Sequence, residues 1–284
     1  MPVGTIRHLP PLNLPPTGPA PPDPRLNELA HTPVLLVACD YDGTLAPIVA
    51  DPSQAVPHPR TVEALAQLAS SIGTVAIVTG RPARTAVELA GFADHDALDG
   101  LVVVGHYGLE RWDASTDTVT AAEPLPGLDV VRAELPALLA SHDLADAAVE
   151  DKGLSIAVHT RRLPDARAAY DVLVAPLTEL AERNGLAAEP GRFVVELRPP
   201  GMDKGAALRS LVDERQATSV VFTGDDLGDL PAYDEVGRLR SDGVPGLLVC
   251  SGSDEVTVLA ERADVVVDGP AGVVAFVDSL VAAL

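Results

Sequence analysis

Basic side chains are scarce in this chain of 284 residues: 20 Lys and Arg stand against 41 Asp and Glu, a formal charge of −21. That balance excludes nucleic acid and anionic membrane surfaces as natural partners, because both require a positive face. It also means that an anionic small molecule needs a metal ion or a local cation in order to approach. Aromatic residues are only 3 % of the chain against 47 % hydrophobic, so a core has to be built mainly from Ala, Val and Leu. The two cysteines, Cys39 and Cys250, lie in apolar runs and read as buried thiols of a reducing compartment, not as a disulfide. No apolar run approaches the roughly 18 residues of a membrane span. The N-terminus lacks the apolar core of a secretory leader. A cytoplasmic protein is expected, long enough for one large domain or two smaller ones.

What is present is an ordered alternation of strand and helix patterns. Residues 1–30 form an arm dense in proline, which removes backbone donors and favours extended chain, so no regular structure and no chemistry are expected there. Val34 to Cys39 is a nearly unbroken apolar run, suited to a strand buried on both faces of a parallel sheet. It breaks off at Asp40-Tyr41-Asp42-Gly43-Thr44. A helix is expected over Arg60–Ser71, closed by Gly73, then a strand over Thr74–Val78 ending in Thr79-Gly80-Arg81-Pro82. A helix over Ala83–Leu89 and a strand over Leu101–Val104, ending in Gly105-His106-Tyr107-Gly108, complete three strand–loop–helix units. Such units predict a right-handed, doubly wound parallel sheet.

From residue 109 to 198 the runs become shorter and half-polar. Helices are expected over Asp129–Ala140 and Asp165–Asn184, with Pro136 and Pro176 able to kink or split them. Strands are expected over Ala147–Val149, Ser155–His159 and Phe193–Leu197, with a hairpin through Arg111–Thr120. The pattern predicts an α+β insert of about 90 residues, an antiparallel sheet with helices on one face. The α/β pattern then resumes with a helix from Lys204 to Glu214 and a strand over Ser219–Thr223 that ends in Gly224-Asp225-Asp226-Leu227-Gly228-Asp229. Strands over Leu247–Cys250 and Val265–Val267 and a helix over Ala271–Ala283 close the chain. The expected fold class is α/β: a doubly wound parallel-sheet core from residues 31–108 and 199–284, with an α+β domain inserted at 109–198.

Four groups fall at strand ends or helix starts along one edge of that sheet: Asp40 with Asp42, Thr79, Lys204, and Asp225 with Asp226 and Asp229. Open α/β sheets place their ligands there. The residue types suit phosphoryl transfer, since a carboxylate can act as a covalent nucleophile toward phosphate. Mg²⁺ takes a few carboxylate oxygens together with water and substrate phosphate, and Asp40 and Asp225 can supply them. Thr79 can donate a hydrogen bond to a phosphoryl oxygen, and Lys204 offers a compact positive charge. Asp42 suits general acid/base work.

Plainer readings stand beside these. Thr79 can cap the following helix, a role compatible with holding phosphate. A merely decorative Lys204 is disfavoured, because the helix dipole opposes a cation at a helix start. Asp226 and Asp229 read equally as helix-start acids or as groups touching a metal through water, and Arg81 equally as a surface residue. Glu150-Asp151-Lys152, from the residues alone, is a solvated charged turn. His159, Arg161 and Arg162 share that ambiguity and are left out of the site, and the remaining histidines show no ligand spacing.

Asp40-Tyr41-Asp42-Gly43-Thr44, Thr79, Lys204 and Gly224-Asp225-Asp226 resemble, in order, the four motifs of the haloacid-dehalogenase-like phosphatases. From about Pro33 onward the chain resembles the trehalose-6-phosphate phosphatase family more closely. That likeness rests on Asp42-Gly43-Thr44-Leu45-Ala46-Pro47-Ile48, Thr79-Gly80-Arg81, Gly105-His106-Tyr107-Gly108, Glu150-Asp151-Lys152-Gly153-Leu154-Ser155, Glu196-Leu197-Arg198-Pro199 and Gly201-Met202-Asp203-Lys204-Gly205. The resemblance implies a Mg²⁺-dependent phosphomonoesterase that hydrolyses trehalose 6-phosphate through an aspartyl-phosphate intermediate; a monomer is expected. Asp40 would be the nucleophile and Asp42 the acid/base. Asp40, the backbone carbonyl of Asp42, and Asp225 would hold the ion, with Asp226 and Asp229 in support. The insert would be a cap whose Glu150, Lys152 and Glu196 contact sugar hydroxyls, and Gly80, Arg81 and His106 would lie near the substrate. A phosphatase of another sugar phosphate (sucrose-, mannosyl- or glucosyl-type) is the alternative. A non-catalytic sugar-phosphate binder would be expected to lack one of the catalytic residues. Two positions depart from the family: Leu230 replaces an acidic residue, and His106 stands one place early, with Tyr107 in its usual position.

Overall fold

The structure, a computed structural model, describes residues 12–13, 24–49, 51–72, 74–252 and 257–284. The chain divides into two units, a core unit of Met1–Val119 with Asp203–Leu284 and an inserted unit of Thr120–Met202. The first part of the core unit runs β1 (Leu12–Asn13), α1 (Pro24–Ala30), β2 (Leu35–Cys39), α2 (Thr61–Ile72), β3 (Val75–Val78), α3 (Ala83–Ala90), β4 (Leu101–Gly105), β5 (Glu110–Asp113) and β6 (Thr118–Ala121). The insert follows as α4 (Gly127–Ser141), β7 (Ala148–Asp151), β8 (Ile156–His159), α5 (Ala166–Arg183), β9 (Ala187–Gly191) and β10 (Val194–Arg198). The chain returns to the core as α6 (Lys204–Arg215), β11 (Ser219–Gly224), α7 (Leu230–Ser241), β12 (Gly246–Gly252), α8 (Thr257–Arg262), β13 (Val265–Asp268) and α9 (Gly269–Ala283).

Period two along the apolar strands sets the layers of the core unit. Leu35, Val37 and Cys39 of β2 pack with α1, α2, α3 and α9, whereas Leu36 and Ala38 pack with α6, α7 and α8. Both faces of the sheet are thereby covered, which explains the continuous apolar runs. Strand order among the described residues is β1-β13-β12-β11-β2-β3-β4-β5-β6, parallel from β1 through β4 and antiparallel at β4–β5. The winding runs outward from β2 through β3 to β4 on one side and from β11 through β12 to β13 on the other. Cys39 and Cys250 are buried free thiols, and burial pushes them up to about 12 and about 11 respectively.

In the inserted unit a four-stranded antiparallel sheet, ordered β7-β8-β10-β9, carries α4 and α5 on one face. Leu128, Val131, Leu135 and Leu139 of α4 and Leu173, Leu177 and Leu180 of α5 close over Ile156, Val158, Val195 and Leu197.

Several expectations need correction. The proline arm falls largely outside the described residues, as does Gly73. Within the described part, Pro24–Ala30 is helical and buries Leu26 and Leu29, because Pro is well tolerated in a first helical turn. Pro136 and Pro176 neither end nor split their helices, since the leucine stripes to either side hold them to the sheet. The insert starts later than residue 109: β5 is hydrogen-bonded to β4 and belongs to the core sheet. Strand β9 was not expected; its Pro190 and Gly191 resemble a turn, yet it lies at the sheet edge, where Pro is allowed. Among the described residues no helix is long and apolar enough to cross a membrane.

Candidate active site

The winding reverses between β2 and β11, and the crevice beyond the carboxyl ends of such a strand pair is where open α/β sheets hold ligands. Asp40 follows β2 and Asp225 follows β11, and the Asp40 N–H donates to the Thr223 carbonyl at 2.8 Å, locking the two strand ends together. Asp40 continues the period of Leu36 and Ala38, so it points toward the layer that holds α6. The first residue of α6 is Lys204. Its Nζ lies 2.6 Å from Asp40 Oδ1 and 2.8 Å from Asp229 Oδ1, with all three side chains buried. The other Asp229 oxygen accepts the N–H of Asp225 at 2.9 Å and of Asp226 at 3.2 Å. Asp226 in turn accepts the Gly228 N–H at 2.9 Å. Gly43 sits at φ +74°, and a Cβ there would fall 1.9 Å from Asp225 Oδ2, so only glycine lets the loop after Asp42 approach Asp225.

Burial pushes Asp40 well above the ordinary carboxylate range; Lys204 opposes the rise, and Asp229, Asp225 and Asp226 add to it. Burial, then the charges of Asp229 and Asp226, push Asp225 up to about 7. Burial also works against the charge of Lys204, but Asp229 and Asp40 outweigh it and hold the ammonium well above its ordinary value. One ammonium among these acids leaves an excess of negative charge that a cation would relieve. Asp40, Asp225 and Asp229 each bring an oxygen within 4.8 Å of the others, a donor set of hard oxygens consistent with a metal site. Asp229 is the least available of the three, because Lys204 and two backbone N–H groups already occupy both its oxygens. It braces the cluster. Asp40 and Asp225, whose side chains hydrogen-bond each other, are the better donors.

Thr79 is buried, and its Oγ1 accepts the Arg81 N–H at 3.1 Å. It does not cap α3; Glu110 does that work, accepting the Ala83 N–H at 2.7 Å. Arg81 is no surface decoration. Its Nε and Nη2 grip the two oxygens of Asp42 at 2.7 and 2.6 Å, its Nη1 reaches the Pro52 carbonyl at 3.0 Å, and the guanidinium lies 5.4 Å from the Tyr41 ring centre. His106, expected beside the substrate, is buried, with Nε2 3.8 Å from Glu110 Oε1. It shares a left-handed stretch with Tyr107 and Gly108 (φ 47°, 56° and 113°) that presses the Tyr107 ring onto Gly80. A Cβ on Gly80 would lie 2.5 Å from the Tyr107 hydroxyl, so Gly80 serves packing in this arrangement.

In the inserted unit Glu150 and Glu196 share the sheet face turned away from α4 and α5, as their register with Ala157 requires, and Lys152, just past β7, reaches Glu196 from there. Glu196 is buried and accepts from Lys152 Nζ at 3.1 Å and from Ser155 Oγ at 2.6 Å. The bond from Ser155 to Glu196 and the one from Lys204 to Asp229 escaped the sequence reading. One signal lay in the composition: Lys152 and Lys204 are the only lysines in the chain, every other basic residue being Arg.

A sheet wound in both directions, with Asp40 and Asp225 at the reversal, is the haloacid-dehalogenase-like fold. A solved haloacid dehalogenase-like hydrolase from Bacteroides thetaiotaomicron superposes with a TM-score of 0.62 at 16 % identity, over 86 % of this chain and 98 % of that one. The C-terminal domain of C. albicans trehalose-6-phosphate phosphatase superposes at 0.73 and 20 % identity, over 91 % and 95 %. The family model described as trehalose-phosphatase matches residues 38–265. The trehalose-phosphate phosphatase of Mycobacterium marinum is 35 % identical over 207 residues, which are 70 % of this chain and 50 % of that protein. The chain therefore belongs to the trehalose-phosphatase family. It spans about half the length of the curated relatives it matches.

Proposed function

We propose that this protein hydrolyses trehalose 6-phosphate to trehalose and phosphate through a phosphorylated Asp40. The observation that carries the reading is the buried Lys204 ammonium shared by Asp40 and Asp229 beside Asp225. Asp40 attacks phosphorus as the sugar oxygen leaves, and Asp42 gives that oxygen its proton. Asp42 then takes a proton from the water that cleaves the acyl phosphate, returning Asp40 to its starting state. Both oxygens of Asp42 are engaged by Arg81 here, so one must turn away from the guanidinium to deliver a proton. Lys204 keeps Asp40 oriented, and the Thr79 hydroxyl can donate to a phosphoryl oxygen. Asp40, Asp225 and the backbone carbonyl of Asp42 would hold Mg²⁺, which, when bound, screens the substrate's charge and polarises the phosphoryl group. The insert acts as a cap that supplies Glu150, Lys152 and Glu196 to the sugar hydroxyls. The buried, unpaired thiols agree with a reducing, cytoplasmic setting, and the reading takes the protein as a monomer.

The test is phosphate release from a panel of sugar phosphates with and without Mg²⁺. Trehalose 6-phosphate should be hydrolysed far faster than glucose 6-phosphate, only with the ion, and Asp40→Asn should abolish turnover. Equal rates on both sugars would remove the substrate assignment; an active Asp40→Asn would remove the covalent route.

A further inference from the structure

On the sheet of the inserted unit, the residues of β8 and its approach that face away from α4 and α5 are Ser155, Ala157 and His159, spaced two apart. Register puts Ala157 directly opposite Glu150 on β7 and Glu196 on β10. Two carboxylates therefore flank a single methyl group. Each is tethered diagonally from the middle strand: Ser155 Oγ donates to Glu196 Oε1 at 2.6 Å, and His159 Nε2 lies 3.0 Å from Glu150 Oε2. Diagonal neighbours on a sheet are within reach of long side chains, so both tethers follow from the register. Lys152 Nζ adds a second bond to the same Oε1 of Glu196 at 3.1 Å.

The last torsion of a glutamate is soft and roughly two-fold, so a carboxylate without partners presents either oxygen in many directions. Here both donors converge on Oε1, which leaves Oε2 as the acceptor for a ligand. The Ser155 tether is the stronger of the two. It is buried at both ends, at 1 % and 7 % exposure, and has the short length of a hydroxyl donating to a charged oxygen. The His159–Glu150 contact is 36 % and 54 % exposed and accordingly weaker.

We infer that Ser155 is a positioning residue: with Lys152 it fixes Glu196 so that Oε2 receives a hydroxyl of a pyranose ring. The matching ligand chemistry is a polyol with a hydroxyl that donates to the Glu196 carboxylate. This rests on the reading that the insert recognises the sugar.

The experiment compares wild type, Ser155→Ala, Ser155→Thr, Glu196→Gln and the double variant Ser155→Ala/Glu196→Gln in Mg²⁺, on trehalose 6-phosphate and on nitrophenyl phosphate, which has no sugar. Ser155→Ala should raise KM for the sugar phosphate roughly tenfold, as loss of a hydrogen bond to a charged group does. Turnover of nitrophenyl phosphate should change by about twofold at most. Threonine should restore KM, and Ser155→Ala should add nothing once Glu196 is Gln, because the serine acts through that carboxylate. Equal losses on both substrates, additive costs in the double variant, or an unaffected KM would each overturn the inference. A wild type active on nitrophenyl phosphate but inert toward every sugar phosphate would instead overturn the substrate reading, and this inference with it.

Discussion

Between Asp40 and Asp229 there is room for one compact ammonium, with Nζ 2.6 and 2.8 Å from the two carboxylates. A guanidinium keeps the charge but is planar and forked, so it cannot take the same two contacts in a buried slot. Lys204→Arg should therefore lower kcat by roughly 10²–10³, the usual cost of removing one preorganised electrostatic group. Circular dichroism should show the fold intact, and a variant within a few-fold of wild type would discard Lys204 as an orienting group. The places of Asp40, Asp225 and Lys204 were legible because each follows an apolar run or opens a helix, and the sheet topology carries such ends to one place. Asp229 was legible as a helix-start acid or a support of the metal site, but not as a partner of Lys204, which precedes it by 25 positions. Nor could spacing reveal that Arg81 holds Asp42, or that His106 is buried while Tyr107 takes the contact with Gly80.

At the scale of elements, apolar period and length identified most strands and helices of both units, and burial decided the disputed ones. Helix α4 shows the contest most clearly. Pro136 removes a backbone donor and crowds the carbonyl four residues earlier, yet Leu135 and Leu139 are buried against the sheet and the helix continues. Pro136 itself is exposed, so replacing it costs no packing. Pro136→Ala should stabilise the protein by about 1–2 kcal/mol, the helix gain less the flexibility returned to the unfolded chain. Chemical denaturation measures this, and an unchanged or lower stability would show that the ring is needed where it stands. Strand β9 and helix α8 went unread for other reasons: α8 is short, and β9 carries turn-forming residues that only its position at a sheet edge makes tolerable.

For the molecule as a whole, acidity is the governing property, and part of it is buried at the Asp40 cluster. Asp225 titrates near 7 in the folded protein against an ordinary 3.8, because of burial and its acidic neighbours. The metal-free folded form thus holds more protons than the unfolded chain between those values. Its contribution to stability is complete below the lower value and is lost as pH rises through the upper one. In EDTA the unfolding midpoint should fall between pH 5 and pH 8, and added Mg²⁺ should raise it more at pH 8 than at pH 5, where protons compete for the same oxygens. Equal midpoints at the two pH values in EDTA, or an ion effect larger at pH 5, would show that the cluster is not the site where the ion acts. The scarcity of lysine has a practical consequence. The core unit contains one side-chain amine, at Asp40, and the insert contains one, at Glu196. A sample grown on isotope-labelled lysine would therefore carry a single resonance for each, so that events at the Asp40 cluster and at Glu196 could be followed separately in one spectrum, with no probe attached.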